Sequence, residues 1–309
     1  MSTLFPLVTV LGPTAVGKTT FAANLAIELN AEIISADSRQ VYRGMDIGTG
    51  KDMADYTVNG ITVRSHLIDI ADPGTEYNVF QFQRDFEFAR LSVISRGKMP
   101  LMCGGTGMYL EAVLKGYSFS EAPFDAELRK ELADYQDGEL VGRLNNTRNV
   151  HNTTDSLDRE RIIRALEIEK YRLKNKHIPG ENIFRNTPVL GIRFERKLIR
   201  ERITARLNQR LNQGMVEEVQ HLINSGITKE RLKMYGLEYK YIAMYLDGEL
   251  NYNQLVTLLN TAIHQFAKRQ MTWFRRMEKN GMKILWLEGE DGLLLNLDKA
   301  KDYLKINNI

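Results

Sequence analysis

The chain has 309 residues, 43% of them hydrophobic, one cysteine and a formal net charge of +3. This is enough apolar material for a full core in one large domain or two modest ones, and no apolar run approaches the roughly 20 residues of a membrane helix. The lone Cys103 excludes an internal disulfide. With an N-terminal stretch that lacks the pattern of a secretion signal, it sets the expectation of a cytoplasmic protein. Charge is unevenly spread: Arg193 to Arg210 holds seven Lys/Arg against two Glu, which permits a polyanionic partner.

The first element is an apolar run, Leu7 to Leu11, feeding into Gly12-Pro13-Thr14-Ala15-Val16-Gly17-Lys18-Thr19-Thr20. The pattern G-x-x-x-x-G-K-T between a strand and a helix is that of a phosphate-binding loop. Phe21, Leu25 and Leu29 follow at four-residue spacing, predicting a helix that stops near Asn30. Gly12 and Gly17 let successive N–H groups turn toward an anion, and the helix N-terminus adds partial positive charge. Lys18 would reach the terminal phosphates and Thr19 would offer its hydroxyl to Mg²⁺.

Glu32 to Ser35 reads as a second strand, and the loop after it carries Asp37 where such sheets face their ligand crevice. Met45 to Lys51 is glycine-rich and reads as loop. Thr62 to Ile70 is a further strand candidate, with Asp69 and Asp72 near its end. Asn78 to Arg96 has helical spacing and Gly97 ends it. Met99 to Cys103 is a strand running into a second glycine loop, Gly104 to Gly107, and a helix from about Tyr109 to Leu114. Alternating strands and helices predict an α/β fold, a parallel sheet of the phosphate-loop NTPase kind with helices on both faces.

Beyond Gly116 the pattern turns helical and charged, from Asp125 to about Lys176, until Pro179-Gly180 interrupts it. Thr187 to Arg193 returns to the sheet. Helices are expected at 197–212, 215–224, 239–245 and 251–279, a last strand at 283–287 and a closing helix at 291–304. The expected organisation is a catalytic core of residues 1–119 and 187–309 interrupted by a helical insertion at 120–186.

A phosphate loop alone leaves kinases, nucleotide hydrolases and transferases open, with ATP among its possible occupants. Three further blocks decide: Asp37-Ser38-Arg39-Gln40-Val41-Tyr42-Arg43 with Asp46-Ile47-Gly48-Thr49-Gly50-Lys51, then Gly104-Gly105-Thr106-Gly107-Met108-Tyr109, then Lys268-Arg269-Gln270-Met271-Thr272-Trp273-Phe274-Arg275. With the phosphate loop, this set resembles the tRNA dimethylallyltransferase family, from about Pro6 to Arg275. His66 to Asp69, Arg161 to Glu167 and Gly214 to Val219 look like further shared segments.

The resemblance implies transfer of a dimethylallyl group from dimethylallyl diphosphate to the exocyclic N6 of the adenosine 3′ of the anticodon. Gly12 to Thr20 then become the leaving-group site, with Lys18 and Mg²⁺ held through Thr19 stabilising the charge that develops. Adenine N6 is a weak nucleophile, so a carboxylate that takes its proton helps, and Asp37 is the candidate base, with Asp46, Asp69 and Asp72 as rivals. Thr106 sits in the second glycine loop, where Gly104, Gly105 and Gly107 permit close backbone approach of a ligand; by resemblance it would orient the reacting base or the donor. By resemblance an arginine of the long basic helix reaches the diphosphate: Arg206 is the best match, with Arg202 one turn away.

The acceptor must be extruded from the anticodon loop, and Ser38 and Gln40 can hydrogen-bond a flipped base. The tRNA side is expected to include Asp37, Ser38, Arg39, Gln40, Thr106, Arg129, Glu160, Arg161, Arg164, Lys268 and Arg269. Trp273 and Phe274 read as core rather than stacking platforms. No membrane partner is called for, and a monomer is the expectation.

Three stretches depart from the family: His151 to Asp158, longer and without proline; Tyr235-Gly236-Leu237-Glu238-Tyr239-Lys240; and Ile263-His264 before the last basic block. All fall on the expected tRNA side. The competing readings are an adenylate prenyltransferase or small-molecule kinase, and a non-catalytic tRNA binder, against which Lys18 and Asp37 both speak.

Overall fold

In the computed structural model, residues 6–116, 122–147, 159–175, 184 and 187–309 are described. In chain order the elements begin with β1 (Val8–Leu11), α1 (Lys18–Glu28), β2 (Ala31–Ser35), β3 (Thr57–Val58), β4 (Ile61–Thr62), β5 (Ser65–His66), α2 (Val79–Ser95), β6 (Met99–Gly104) and α3 (Gly107–Leu114). Then come α4 (Ala126–Leu132), α5 (Asp137–Thr147), α6 (Arg159–Asn175), β7 (Val189–Arg193), α7 (Arg196–Asn212) and α8 (Met215–Asn224). The chain closes with α9 (Lys229–Met234), α10 (Leu237–Leu246), α11 (Tyr252–Lys279), β8 (Ile284–Glu288) and α12 (Leu293–Ile306).

Six strands form one sheet in the order β5-β2-β6-β1-β7-β8. Every neighbouring pair is parallel, with Val10 opposite both Cys103 and Leu190. Because successive residues of a strand point to opposite faces, the continuous apolar runs serve two cores at once. Val10, Ile33 and Leu101 pack with Phe21 and Leu25 of α1 and Leu297 and Leu304 of α12. Their neighbours Leu11, Ile34 and Met102 face the other way, onto Phe82 and Phe86 of α2, Leu110 of α3 and Phe274 of α11. A parallel sheet buried on both faces is what such sequences produce.

A third cluster joins the helices after β7: Ile203 and Leu207 of α7, Met215 and Leu222 of α8, Tyr239 of α10 and Leu255 and Leu259 of α11. Helices α2 and α11 begin alike. Asn78 and Asn251 each accept from the backbone N–H three residues on, and Gln81 and Gln254 return the bond to the cap, a reciprocal cap that fixes where the helix starts.

The chain forms two compact units, residues 1–115 with 183–309, and residues 116–182. The second unit has its own core of Leu128, Leu132, Leu140, Leu144, Ile162 and Ile163. Among the described residues no helix is long and apolar enough to cross a membrane.

Two expectations need correction. The strand expected at Thr62 to Ile70 is not continuous: β4 ends at Thr62, β5 covers only Ser65–His66, and beyond it Leu67 and Asp69 take left-handed backbone angles, φ 61 and 55, which no strand accommodates. The helix α9 has no counterpart in the apolar spacing. It is six residues long, and its start is set by Thr228 accepting from the Arg231 N–H at 3.2 Å. Pro179-Gly180 and the 151–158 departure lie outside the described residues.

Candidate active site

The phosphate loop leaves β1 at Gly12, where a side chain would come within 2.8 Å of the Ile192 carbonyl oxygen of β7. Only glycine fits between the strands there. Ala15 and Gly17 then take φ of 65 and 78, winding the chain so that α1 starts at Lys18. The Lys18 ammonium donates to the Pro13 carbonyl at 3.5 Å. Burial lowers its pKa below the ordinary lysine value; Cys103 and Asp37 oppose the shift, and Arg206 and Arg210 add to it. Val16 belongs to the core under the loop, and the Thr20 carbonyl accepts from Asn24 within α1 at 2.8 Å. The Thr19 hydroxyl is half-exposed and has no hydrogen-bond partner among the described residues.

The β2 and β6 loops are tied together beside it. Asp37 Oδ1 accepts from the Arg39 N–H at 2.9 Å, a turn that aspartate closes with its own side chain. The Ser38 N–H donates to Thr106 Oγ1 at 3.1 Å, and Thr106 N–H donates to the Ala36 carbonyl at 3.3 Å. The second glycine loop makes room for protein. A Cβ at Gly104 would strike the Ala36 backbone, one at Gly105 the Gln270 amide, and one at Gly107 the Trp273 indole. Gln270 and Phe274 are buried and Trp273 half-buried. Gln270, buried on α11, donates to the Gly105 carbonyl at 2.8 Å and accepts from the Thr14 N–H of the phosphate loop at 2.9 Å.

The four candidate carboxylates separate clearly. Asp46 and Asp69 both hold the ammonium of Lys51, whose side chain is 1% exposed; they are structural counter-ions for a buried cation. Asp72 pairs with Arg43 at the surface, 2.6 Å away. Asp37 alone makes no ion pair among the described residues, although its charge raises the pKa of Lys18. The Asp46 to Gly48 segment is organised by Glu218 of α8. Its carboxylate accepts from the N–H groups of Asp46, Ile47 and Gly48 at 2.9, 2.7 and 3.0 Å and from the Tyr239 hydroxyl at 2.7 Å.

Gln40 is engaged by its own protein, donating to the Gly50 carbonyl at 3.1 Å and accepting from the Ser35 hydroxyl at 3.3 Å. Arg39 lies over the Phe266 ring, 4.9 Å from its centre, and donates to Glu238 at 3.4 Å. Of the basic helix, Arg202 makes the direct contact with the phosphate loop, its Nε donating to the Ala15 carbonyl at 2.9 Å. Arg206 instead donates to Asp52, together with the buried Arg210. Arg210 was not singled out by sequence. The available signal was spacing, since 202, 206 and 210 lie on one helix face. A cavity of about 590 Å³ opens between this face, Ala15 and the Asp52 to Asp55 segment.

Lys268 and Arg269 are exposed on α11. In the second unit, Arg129 donates to Glu167 at 2.6 Å and to Glu160 at 2.7 Å, and Arg164 donates to Glu167 at 2.9 Å. Glu167 is fully buried on its side chain, so two arginines expected to touch tRNA also hold this unit together. Arg161 is exposed. No cluster of three metal-ligating His, Cys, Asp or Glu occurs among the described residues.

The family model described as IPP transferase matches residues 40–277, and one described as isopentenyl transferase matches residues 6–70. The chain is 52% identical over 301 residues to tRNA dimethylallyltransferase 2 of Bacteroides fragilis, covering 97% of this chain and 98% of that one. The chain belongs to the tRNA dimethylallyltransferase family. It is likewise 52% identical over 305 residues to tRNA dimethylallyltransferase 1 of Geotalea uraniireducens, with 98% of each chain covered. Among solved structures of the family, the tRNA isopentenylpyrophosphate transferase of Bacillus halodurans superposes with a TM-score of 0.70 at 31% identity, covering 98% of both chains. A eukaryotic dimethylallyltransferase acting on tRNA has the same fold, with a TM-score of 0.75 at 22% identity over 92% of this chain and 74% of that one.

Proposed function

We propose that this protein transfers the dimethylallyl group of dimethylallyl diphosphate to N6 of the adenosine 3′-adjacent to the anticodon in tRNA. One observation carries the mechanism. Of the four candidate carboxylates Asp37, Asp46, Asp69 and Asp72, Asp37 alone is without a cationic partner among the described residues, and it is the one whose charge acts on Lys18. A proton acceptor and a leaving-group cation therefore share one mouth of the sheet.

The N6 lone pair forms a bond to the allylic carbon while the C–O bond to the diphosphate breaks, and that electron pair leaves with the diphosphate. The backbone N–H groups of Ala15 to Thr19 and the Lys18 ammonium take up the charge that develops. The N6 proton passes to the Asp37 carboxylate. Thr106, bonded to the Asp37–Ser38 turn, holds that turn in register with the phosphate loop. The half-exposed, unpartnered Thr19 hydroxyl fits a Mg²⁺ ligand, and Mg²⁺ bound there would offset charge on the leaving group.

The exposed Lys268, Arg269 and Arg161 suit contact with tRNA phosphates. A cytoplasmic monomer goes with this reading, since a single copy carries every residue invoked. Purified protein with dimethylallyl diphosphate and Mg²⁺ should prenylate tRNA and leave AMP untouched. Transfer to AMP with none to tRNA would replace this reading by the adenylate one.

A further inference from the structure

Arg202, Arg206 and Arg210 repeat every four residues along α7, so they leave the helix in a row. Arg202 is anchored on Ala15 of the phosphate loop. The other two converge on one oxygen: Asp52 Oδ2 accepts from Arg206 Nη2 at 2.9 Å and from Arg210 Nη2 at 3.2 Å. Gly50, two residues earlier, has φ +71, and a side chain there would strike both guanidinium groups. The loop is thus shaped to lay Asp52 against them. Two cations on one carboxylate leave positive charge over, and both arginines act electrostatically on Lys18. Asp52 itself is 48% exposed on its side chain and borders the cavity that the arginine row walls. It can turn to solvent without opening the core.

Building on the donor site proposed above, we infer that Asp52 is a resident counter-ion that competes with the donor diphosphate for Arg206 and Arg210. With no anion on the phosphate loop, Asp52 holds the two guanidinium groups. When the diphosphate arrives they turn to it, and Asp52 faces the cavity water. When inorganic pyrophosphate remains after transfer, Asp52 recaptures them and eases its departure. Asp52 is a positioning residue in this scheme, acting through the arginines. A carboxylate that merely propped the arginines in place would have the opposite sign: its removal would loosen them and weaken anion binding.

Sign is therefore the test. Inorganic pyrophosphate with Mg²⁺ is titrated calorimetrically into the full-length protein and into Asp52→Asn, Asp52→Glu and Arg210→Gln. Competition predicts that Asp52→Asn binds about 3–10-fold more tightly, the range for removing one partly solvated like charge beside an anion. Asp52→Glu should stay near the parent and Arg210→Gln should bind more weakly. In steady state, inhibition by pyrophosphate should strengthen in Asp52→Asn by the same factor. Unchanged or weaker binding by a folded Asp52→Asn overturns the inference while leaving the donor site standing. A parent protein that binds neither pyrophosphate nor dimethylallyl diphosphate overturns both.

Discussion

Gln270 and Gly105 are joined by a hydrogen bond of 2.8 Å, and the same glutamine amide accepts from the Thr14 N–H at 2.9 Å. One buried side chain of α11 thereby clamps the phosphate loop to the second glycine loop. Its amide presents a donor and an acceptor side by side, which an apolar side chain in the same place could not supply.

Gln270→Ala should leave the Gly105 carbonyl and the Thr14 N–H unpaired, costing about 1–3 kcal/mol of stability. Because Thr14 lies in the phosphate loop, losing this anchor should let the loop shift, and KM for dimethylallyl diphosphate should rise as well. Gln270→Glu keeps the acceptor, loses the donor and adds a negative charge beside the phosphate loop, so its KM for the donor should rise at least as far. Chemical denaturation and donor-varied kinetics measure the two effects, and a normal KM in the alanine variant would count against the clamp.

Lys18→Ala removes a cation from a site built for several negative charges. The α1 helix starts within the phosphate loop and its core residues Phe21 and Leu25 are untouched, so the fold should persist. Donor-varied kinetics should show a higher KM and a slower transfer, by about 10-fold or more in kcat/KM. Unaltered kinetics would remove the phosphate loop from the reaction.

Contact with tRNA is expected to divide in an unequal way. Exchanging the exposed Lys268 and Arg269 for alanine should raise KM for tRNA and leave that for the donor near normal. The salt slope of binding should shrink by about 0.7 for each phosphate that is no longer neutralised. Arg129→Ala is a different experiment, since it strips Glu167 of its bonds at 2.6 and 3.3 Å and should lower thermal stability. Glu167→Gln should lower it too. If Arg129→Ala weakens tRNA binding with no change in melting, Arg129 touches tRNA directly and its bond to Glu167 is incidental.

The phosphate loop was legible because it is contiguous: strand, loop and helix follow within about twenty residues, and each glycine has a local geometric reason. The parallel sheet was legible for a related reason, that strands buried on both faces are continuously apolar. Asp37 could be named but not separated from Asp46 and Asp69, because the separating residue is Lys51. Its burial follows from packing of the 42–51 loop against Glu218 and Tyr239 of distant helices. Glycines 104, 105 and 107 read as space for a ligand, whereas Ala36, Gln270 and Trp273 fill that space, partners that come from outside the loop itself. Arg210 was hidden for a similar reason, since a charged residue on a basic helix looks solvated until the Gly50 to Asp52 loop is laid across it.

Glu32 should contribute to acid sensitivity. Burial by itself raises the pKa of this carboxyl, but hydrogen bonds from Arg96, at 2.7 and 3.0 Å, and from His66, at 2.7 Å, outweigh it and hold the pKa below the ordinary value. A carboxyl depressed in the folded state contributes its full stability above its unfolded pKa, about 4.3, and loses it as pH falls through the lower folded value. Denaturation of the parent and Glu32→Gln between pH 7 and 3 should show a gap that is constant above about pH 5 and closes below about pH 4. A gap that widened on acidification would reverse the assigned sign.

The central claim is that Asp37 accepts the N6 proton while Lys18 and the phosphate loop take the leaving diphosphate. Single-turnover transfer with tRNA and dimethylallyl diphosphate both saturating isolates the chemical step from product release. Asp37→Asn keeps the side-chain shape and the oxygen that caps the Arg39 N–H, yet cannot take a proton. The rate should fall by about 10²–10⁴-fold with both substrates still bound. A single-turnover rate close to that of the parent protein would contradict the account and leave Asp37 as a turn residue.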